Sequence, residues 1–99
     1  MGELFFLNPK TIETVIAINR LENPYGQMIA RKTDTTYAHT CKIVKKLKDK
    51  EIVECEDAGR KSICFLTEKG KQLAEHYEGV VEYSDIEVIK TNLNEMTYS

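Results

Sequence analysis

From residue 8 onward, apolar side chains return every three or four positions. Ile12, Val15, Ile16, Ala17 and Leu21 share one helical face until residues 22–26, ENPYG, break the pattern. Asn8 before Pro9 marks the start of this first helix, because Asn accepts from unpaired N–H groups and Pro fits the first helical turn. After Gly26 a short second helix, QMIARK, turns Met28, Ile29 and Ala30 inward, and TDTT at residues 33–36 interrupts it. Thr36 then caps a third helix, in which Thr40, Ile43, Val44 and Leu47 form the stripe that faces a core. At about 100° per residue, Ala38, Lys42 and Lys45 point away from that stripe, with Tyr37, His39 and Cys41 on its flanks.

Residues 52–56 (IVECE) and 61–66 (KSICFL) are rich in strand formers, and DAGRK between them supplies the Gly of a hairpin turn. Thr67 caps a fourth helix with Leu73, Tyr77, Val80 and Val81 as its apolar stripe. Gly79, which costs about 1 kcal/mol relative to Ala, marks a place where that helix can end early. Beyond Asp85, Ile86, Ile89, Leu93 and Met96 fit a helical face, while IEVIKT fits a strand equally well. The chain therefore reads as α+β, mostly α, with one two-stranded hairpin. Residues 1–84 make the domain, and residues 85–99 a tail that is a candidate dimerisation segment. Leu4, Phe5, Phe6 and Leu7, ahead of the first helix, are apolar surface with no evident home.

Charge changes this reading most. The chain is acidic overall, with a net charge of −2, yet residues 27–50 carry seven Lys and Arg against Asp34 and Asp49, a local charge of +5. The remainder carries seven basic and fourteen acidic residues, −7. The local field steers a polyanion, so a basic third helix on an acidic protein points to nucleic acid despite the overall sign.

Other chemistry finds little footing. Ninety-nine residues with 41% hydrophobic content close one modest core. No apolar run is long enough for a membrane span, and MGELFFLNPK lacks the basic leader and cleavage site of a signal peptide. A cytoplasmic, nucleoid-associated protein is the expectation. Cys41, Cys55 and Cys64 are neither a disulfide framework nor a paired zinc pattern, and read as reduced, partly buried thiols. Cys55 and Cys64 fall on opposite hairpin strands, where a metal or redox pair is the minor alternative. None of the metalloprotease, P-loop, nucleophile-elbow or dinucleotide motifs occurs. The expectation is no enzyme, no metal and no cofactor.

The order helix, helix, turn, helix, hairpin, helix, together with the stretches LNPK, IARKTDTTYAHTCKIVKKLKDKEIVE, GRKS and LTEKGKQLAE, resembles a winged helix-turn-helix regulator. More narrowly, residues 5–83 resemble the small MarR-like DNA-binding proteins of archaea. The resemblance implies that helix 36–48 reads the major groove of double-stranded DNA, that the hairpin around residues 57–61 is a wing on the flanking DNA, and that terminal helices build a homodimer. It also implies a transcriptional regulator, most simply a repressor. In the family a Gly usually ends the reading helix; here Glu51 stands there, where left-handed backbone carries a strain that Gly avoids.

Lys42, Lys45 and Lys46 are the candidate DNA contacts on the helix, with Lys48 behind them; the alternative is a solvated face. Lys42 suits a base edge and the later lysines phosphates. Tyr37 and His39 either touch DNA or pack on the second helix, and Ala38 and Cys41 complete the exposed surface. Thr35 and Thr36, with Thr33, form a candidate phosphate seat at the helix start. Arg60 and Lys61 at the wing tip suit a minor groove, or simply keep the hairpin soluble. A non-specific architectural DNA-binding protein and a protein-interaction module are the competing readings.

Overall fold

The computed structural model describes residues 2–82. The tail 85–99, with its two readings, lies outside the described residues. Five helices and one hairpin follow in order: α1 (Gly2–Leu7), α2 (Pro9–Arg20), α3 (Gly26–Lys32), α4 (Tyr37–Asp49), β1 (Val53–Ala58), β2 (Lys61–Leu66) and α5 (Glu68–Glu82).

The local start signals act as the sequence indicates. The Asn8 side chain accepts from Lys10 N at 2.9 Å, Thr36 from His39 N at 3.1 Å, and Thr67 from Gly70 N at 3.0 Å. The stop signals are two Schellman turns. At the end of α3, Thr35 N donates to Ala30 O and Asp34 N to Arg31 O around Asp34 at φ 53°. At the end of α4, Ile52 N donates to Leu47 O and Glu51 N to Lys48 O around Glu51 at φ 63°. Ile52 and Leu47, the residues this motif brings together, are both buried. Glu51 thus occupies the left-handed position, at a cost of about 1 kcal/mol that Gly would not carry. Glu51→Gly is expected to raise unfolding stability by about 1 kcal/mol. Urea denaturation checks this, and a loss of stability would contradict the assigned strain.

The hairpin closes through Gly59 and Arg60, with Ala58 opposite Lys61. Of these two turn residues only Gly59 has positive φ, 73°, the pattern of a type II′ turn. β2 covers 61–66 as the sequence indicates, whereas β1 runs on to Ala58, two residues past 52–56, which leaves a turn of two residues. A bridge between Tyr25 and Ile63, and a 2.8 Å bond from Cys64 N to Pro24 O, add the ENPYG segment to the outer edge of β2. That segment thus pairs with the sheet edge through one isolated bridge as well as breaking the helix.

The core gathers Val15, Ile16, Ile29, Leu47, Val53 and Ala74 among others, with α2 at its centre. Every residue of α2 from Thr11 to Ile18 is buried, including Glu13 at 1% exposure, whose carboxylate lies 3.6 Å from Lys10 Nζ. The helical stripe read from the sequence is accordingly too narrow. Phe5 and Phe6 do have a home: they lie in α1, edge to face at 5.3 Å, packed on the core. Tyr77 Oη donates to Phe6 O at 2.7 Å, joining α1 to α5, and burial pushes its phenol up to about 12. Gly79 does not end α5. Val80 is 60% exposed rather than part of the inward stripe, and Ala74 is buried in its place.

Candidate nucleic-acid interface

The α3–turn–α4 unit carries α4 across the surface with Thr40, Ile43 and Leu47 buried beneath it. Its outer surface divides into a crest and two flanks. Ala38, Lys42 and Lys45 lie along the crest, all exposed, with Asp49 at its far end. On the α1 side, His39, Lys42, Lys45 and Lys46 line a recess of about 560 Å³ with Leu4, Phe5 and Asn8. On the wing side, Tyr37, Cys41, Lys45 and Lys48 line a smaller recess of about 220 Å³ with Cys55, Ser62 and Cys64.

Several candidate side chains also have work inside the molecule. Lys46 Nζ sits 5.4 Å from the Phe5 ring centroid and Lys50 Nζ 5.5 Å from that of Phe6. Lys61 Nζ lies 4.0 Å above the Tyr25 ring, and its hydrogen bond and charge lower the Tyr25 phenol below its usual value. Tyr37 is 54% exposed, with its ring edge packed against Gly26, where a Cβ would come within 2.7 Å of Cε1. The neighbouring Cys41 thiol raises the Tyr37 phenol. Tyr37 thus packs on α3, as one of its two readings expects, while about half of its surface stays open to solvent.

The threonines separate. Thr33 is buried and its hydroxyl donates to Ile29 O at 2.8 Å, so it closes α3 and is withdrawn from the candidate phosphate seat. Thr35 donates to Thr33 O at 3.0 Å. Thr36 is exposed and accepts from His39 N, which leaves its own proton to give. Lys10, which no local sequence pattern singles out, braces the turn from below by donating to Thr33 O at 2.5 Å. At the wing tip Arg60 is exposed; Glu54, Glu56 and Asp57 on β1 are largely solvent-facing, and Asp57 accepts from Ser62 at 2.9 Å. The wing thus carries more negative than positive charge, and the positive field concentrates on α4.

No protein-family model matches the chain. The solved structure of AF1382 from Archaeoglobus fulgidus superposes with a TM-score of 0.70 at 29% identity, covering 77% of this chain and 90% of that one. A cysteine-to-serine mutant of ZitR from Lactococcus lactis superposes with a TM-score of 0.63 at 22% identity, covering 89% of this chain and 71% of that one. The fold is a winged helix-turn-helix. An uncharacterized protein of Archaeoglobus fulgidus is 34% identical over 58 residues, 59% of this chain, and the match spans 61% of that relative's length. Within the fold, α3 and α4 are the helix-turn-helix, and β1 and β2 the wing. Among the described residues, no helix is long and apolar enough to cross a membrane.

Proposed function

We propose that this chain is a MarR-like transcriptional regulator, not an enzyme, that binds duplex DNA as a homodimer and represses by occluding promoter DNA. One observation carries the reading: the outward face of α4 gathers His39, Lys42, Lys45, Lys46 and Lys48, with Asp49 the one carboxylate on that helix. A helix so charged, raised by a helix-turn-helix and flanked by a hairpin, matches the charge and shape of a major groove. Lys42 reads a base edge from the crest, Lys45 and Lys46 meet phosphates, and Thr36 and the front of α4 seat another. Tyr37, His39 and Cys41 border the contact, Thr35 supports its turn, and Arg60 with Lys61 reaches the flanking DNA from the wing.

Dimerisation is supported by apolar surface left outside the core. Leu4, Leu7 and Val80 are 63%, 69% and 60% exposed, on α1 and α5. Burying such surface between subunits gains about 25 cal/mol per Å². Residues 85–99 would add to that contact, and two-fold symmetry asks for an inverted repeat with half-sites about 10 bp apart or a multiple of it.

A second reading, non-specific coating of DNA, is favoured by Ala38 and Cys41, which offer little base-reading chemistry on the exposed face. Titration with the duplex upstream of its own coding sequence and with random duplex separates the two. The regulator binds its own site about 10³-fold tighter or better. Equal affinities establish the coating reading, and no binding to either at low salt overturns both in favour of a protein-interaction module.

A further inference from the structure

All three cysteines of the chain line the recess between α4 and the wing, and two of them are in register. Cys55 on β1 stands directly opposite Cys64 on β2, with their Sγ atoms 3.2 Å apart as free thiols. The backbone identifies the kind of pair. Cys64 N donates to Pro24 O, on the side of β2 away from β1, so the Cys55–Cys64 position lies between ladder bonds rather than within one. Such non-hydrogen-bonded pairs bring Cα atoms to about 4.5 Å, with side chains closer than at the alternate positions. That separation is within the range a disulfide spans, about 4.4 to 6.8 Å. The register and the facing sulfurs thus place the two cysteines where a cross-strand disulfide can close.

Access differs between the partners. Cys64 is 3% exposed and Cys55 is half-buried at the recess, where Lys45 and Lys48 also lie. Burial, then the hydrogen bond with Cys55, pushes the Cys64 thiol up to about 12, so Cys64 is the poorer first nucleophile. No three His, Cys, Asp or Glu among the described residues are placed to hold a metal ion, which leaves the pair without a third ligand.

We propose that Cys55 and Cys64 are a reversible modification site, a dithiol that small-molecule disulfides oxidise to a cross-strand bond within the hairpin. Cys55 gives up its proton to water, and its thiolate attacks one sulfur of the disulfide RSSR. A mixed disulfide forms on Cys55, the RS–SR bond breaks, and the departing thiolate takes up a proton as RSH. The Cys64 sulfur then attacks the Cys55 sulfur, its proton passes to the second departing thiolate, and the Cys55–Cys64 bond forms. Two protein thiols are oxidised, and one disulfide is reduced to two RSH. Lys45 and Lys48 favour a reactant that carries carboxylates. Cys41 is exposed but lies on α4 outside the register pair, so a mixed disulfide formed on it has no facing thiol to displace the RS group, and the cross-strand bond is the product that persists.

The purified full chain, incubated with oxidised glutathione, tests this by free-thiol counting, intact mass and mapping of alkylated peptides. The expected result is a fall from three free thiols to one, a mass lower by two hydrogen atoms, a peptide joining Cys55 to Cys64, and full reversal by dithiothreitol. Cys64→Ser is expected to stop at a glutathionyl adduct on Cys55, while Cys41→Ser leaves the reaction intact. A product with the adduct on Cys41 and both hairpin cysteines still alkylated overturns the proposal, as does a disulfide between two chains. The wild-type mapping decides by itself, whatever the folding of the variants, and whether or not the protein binds DNA.

Discussion

Gly70→Ala is expected to cost about 3 kcal/mol or more of unfolding stability, enough to populate the unfolded state in a domain this small. A Cβ at Gly70 would stand 2.1 Å from Ile52 O and 3.1 Å from the carbon that bears it. Neither atom can rotate aside, because both belong to the backbone. The same carbonyl is fixed by Thr67 N at 3.0 Å and by Thr67 Oγ1 at 3.2 Å. The one Thr67 hydroxyl proton is shared with Glu51 O, the nearer acceptor at 2.6 Å, so the cap of α5 clamps the junction between α4 and β1. This arrangement explains the spacing of Thr67 and Gly70 in the LTEKG stretch, since the first residue holds the carbonyl and the second makes room for it. Gly79 lies in the same helix with nothing within 4 Å of its Cβ position, and Gly79→Ala is expected to gain about 1 kcal/mol from helix propensity. Urea denaturation of both variants therefore gives opposite signs. A Gly70→Ala protein as stable as the parent would rule out the close approach of α5 to Ile52.

The second large effect concerns DNA. Lys42→Ala together with Lys45→Ala removes both crest lysines from α4, and is expected to weaken binding to the protein's own site by at least about 100-fold. Lys42→Ala alone should cost about 1 to 3 kcal/mol and relax base preference, whereas Lys46→Ala should weaken all sequences alike. Lys71, exposed on α5, is the control whose replacement by Ala leaves affinity unchanged. Fluorescence anisotropy with own-site and random duplexes reads all four variants. Equal losses on the two duplexes for Lys42→Ala would assign it to phosphate, and an unchanged double variant would remove α4 from the interface.

What the sequence makes legible here is local. Asn8, Thr36 and Thr67 declare themselves as caps because a cap needs only its own first turn. The stripe of Thr40, Ile43 and Leu47 is visible because it repeats within one helix. Gly59 reveals the hairpin, and Glu51 the strained end of α4, for the same reason. Packing between distant segments leaves no such trace. Nothing near Tyr25 announces that it will bridge to Ile63, and nothing near Glu13 announces that α2 is enclosed on every side. The helix α1 is too short for its periodicity to be read. Phe5 and Phe6 find their partners in distant segments, as Tyr77, 71 residues after Phe6, shows by donating to the Phe6 carbonyl. The candidate site divides in the same way. Which residues occupy the outer face of α4 follows from helical geometry, but the placing of Lys46 over Phe5 and Lys61 over Tyr25 depends on partners that the local pattern does not contain.

The most direct test of DNA binding through α4 is the salt dependence of the full chain's affinity for duplex DNA, measured from about 50 to 200 mM salt. Each neutralised phosphate adds about −0.9 to the slope of log K against log salt, and about four to eight neutralised phosphates per dimer are expected. The account predicts a slope of about −4 to −7 for the parent protein, and one shallower by about 1 for each phosphate that Lys45→Ala or Lys46→Ala leaves without its lysine. An affinity unchanged across that range, or no binding at its lower end, would contradict it.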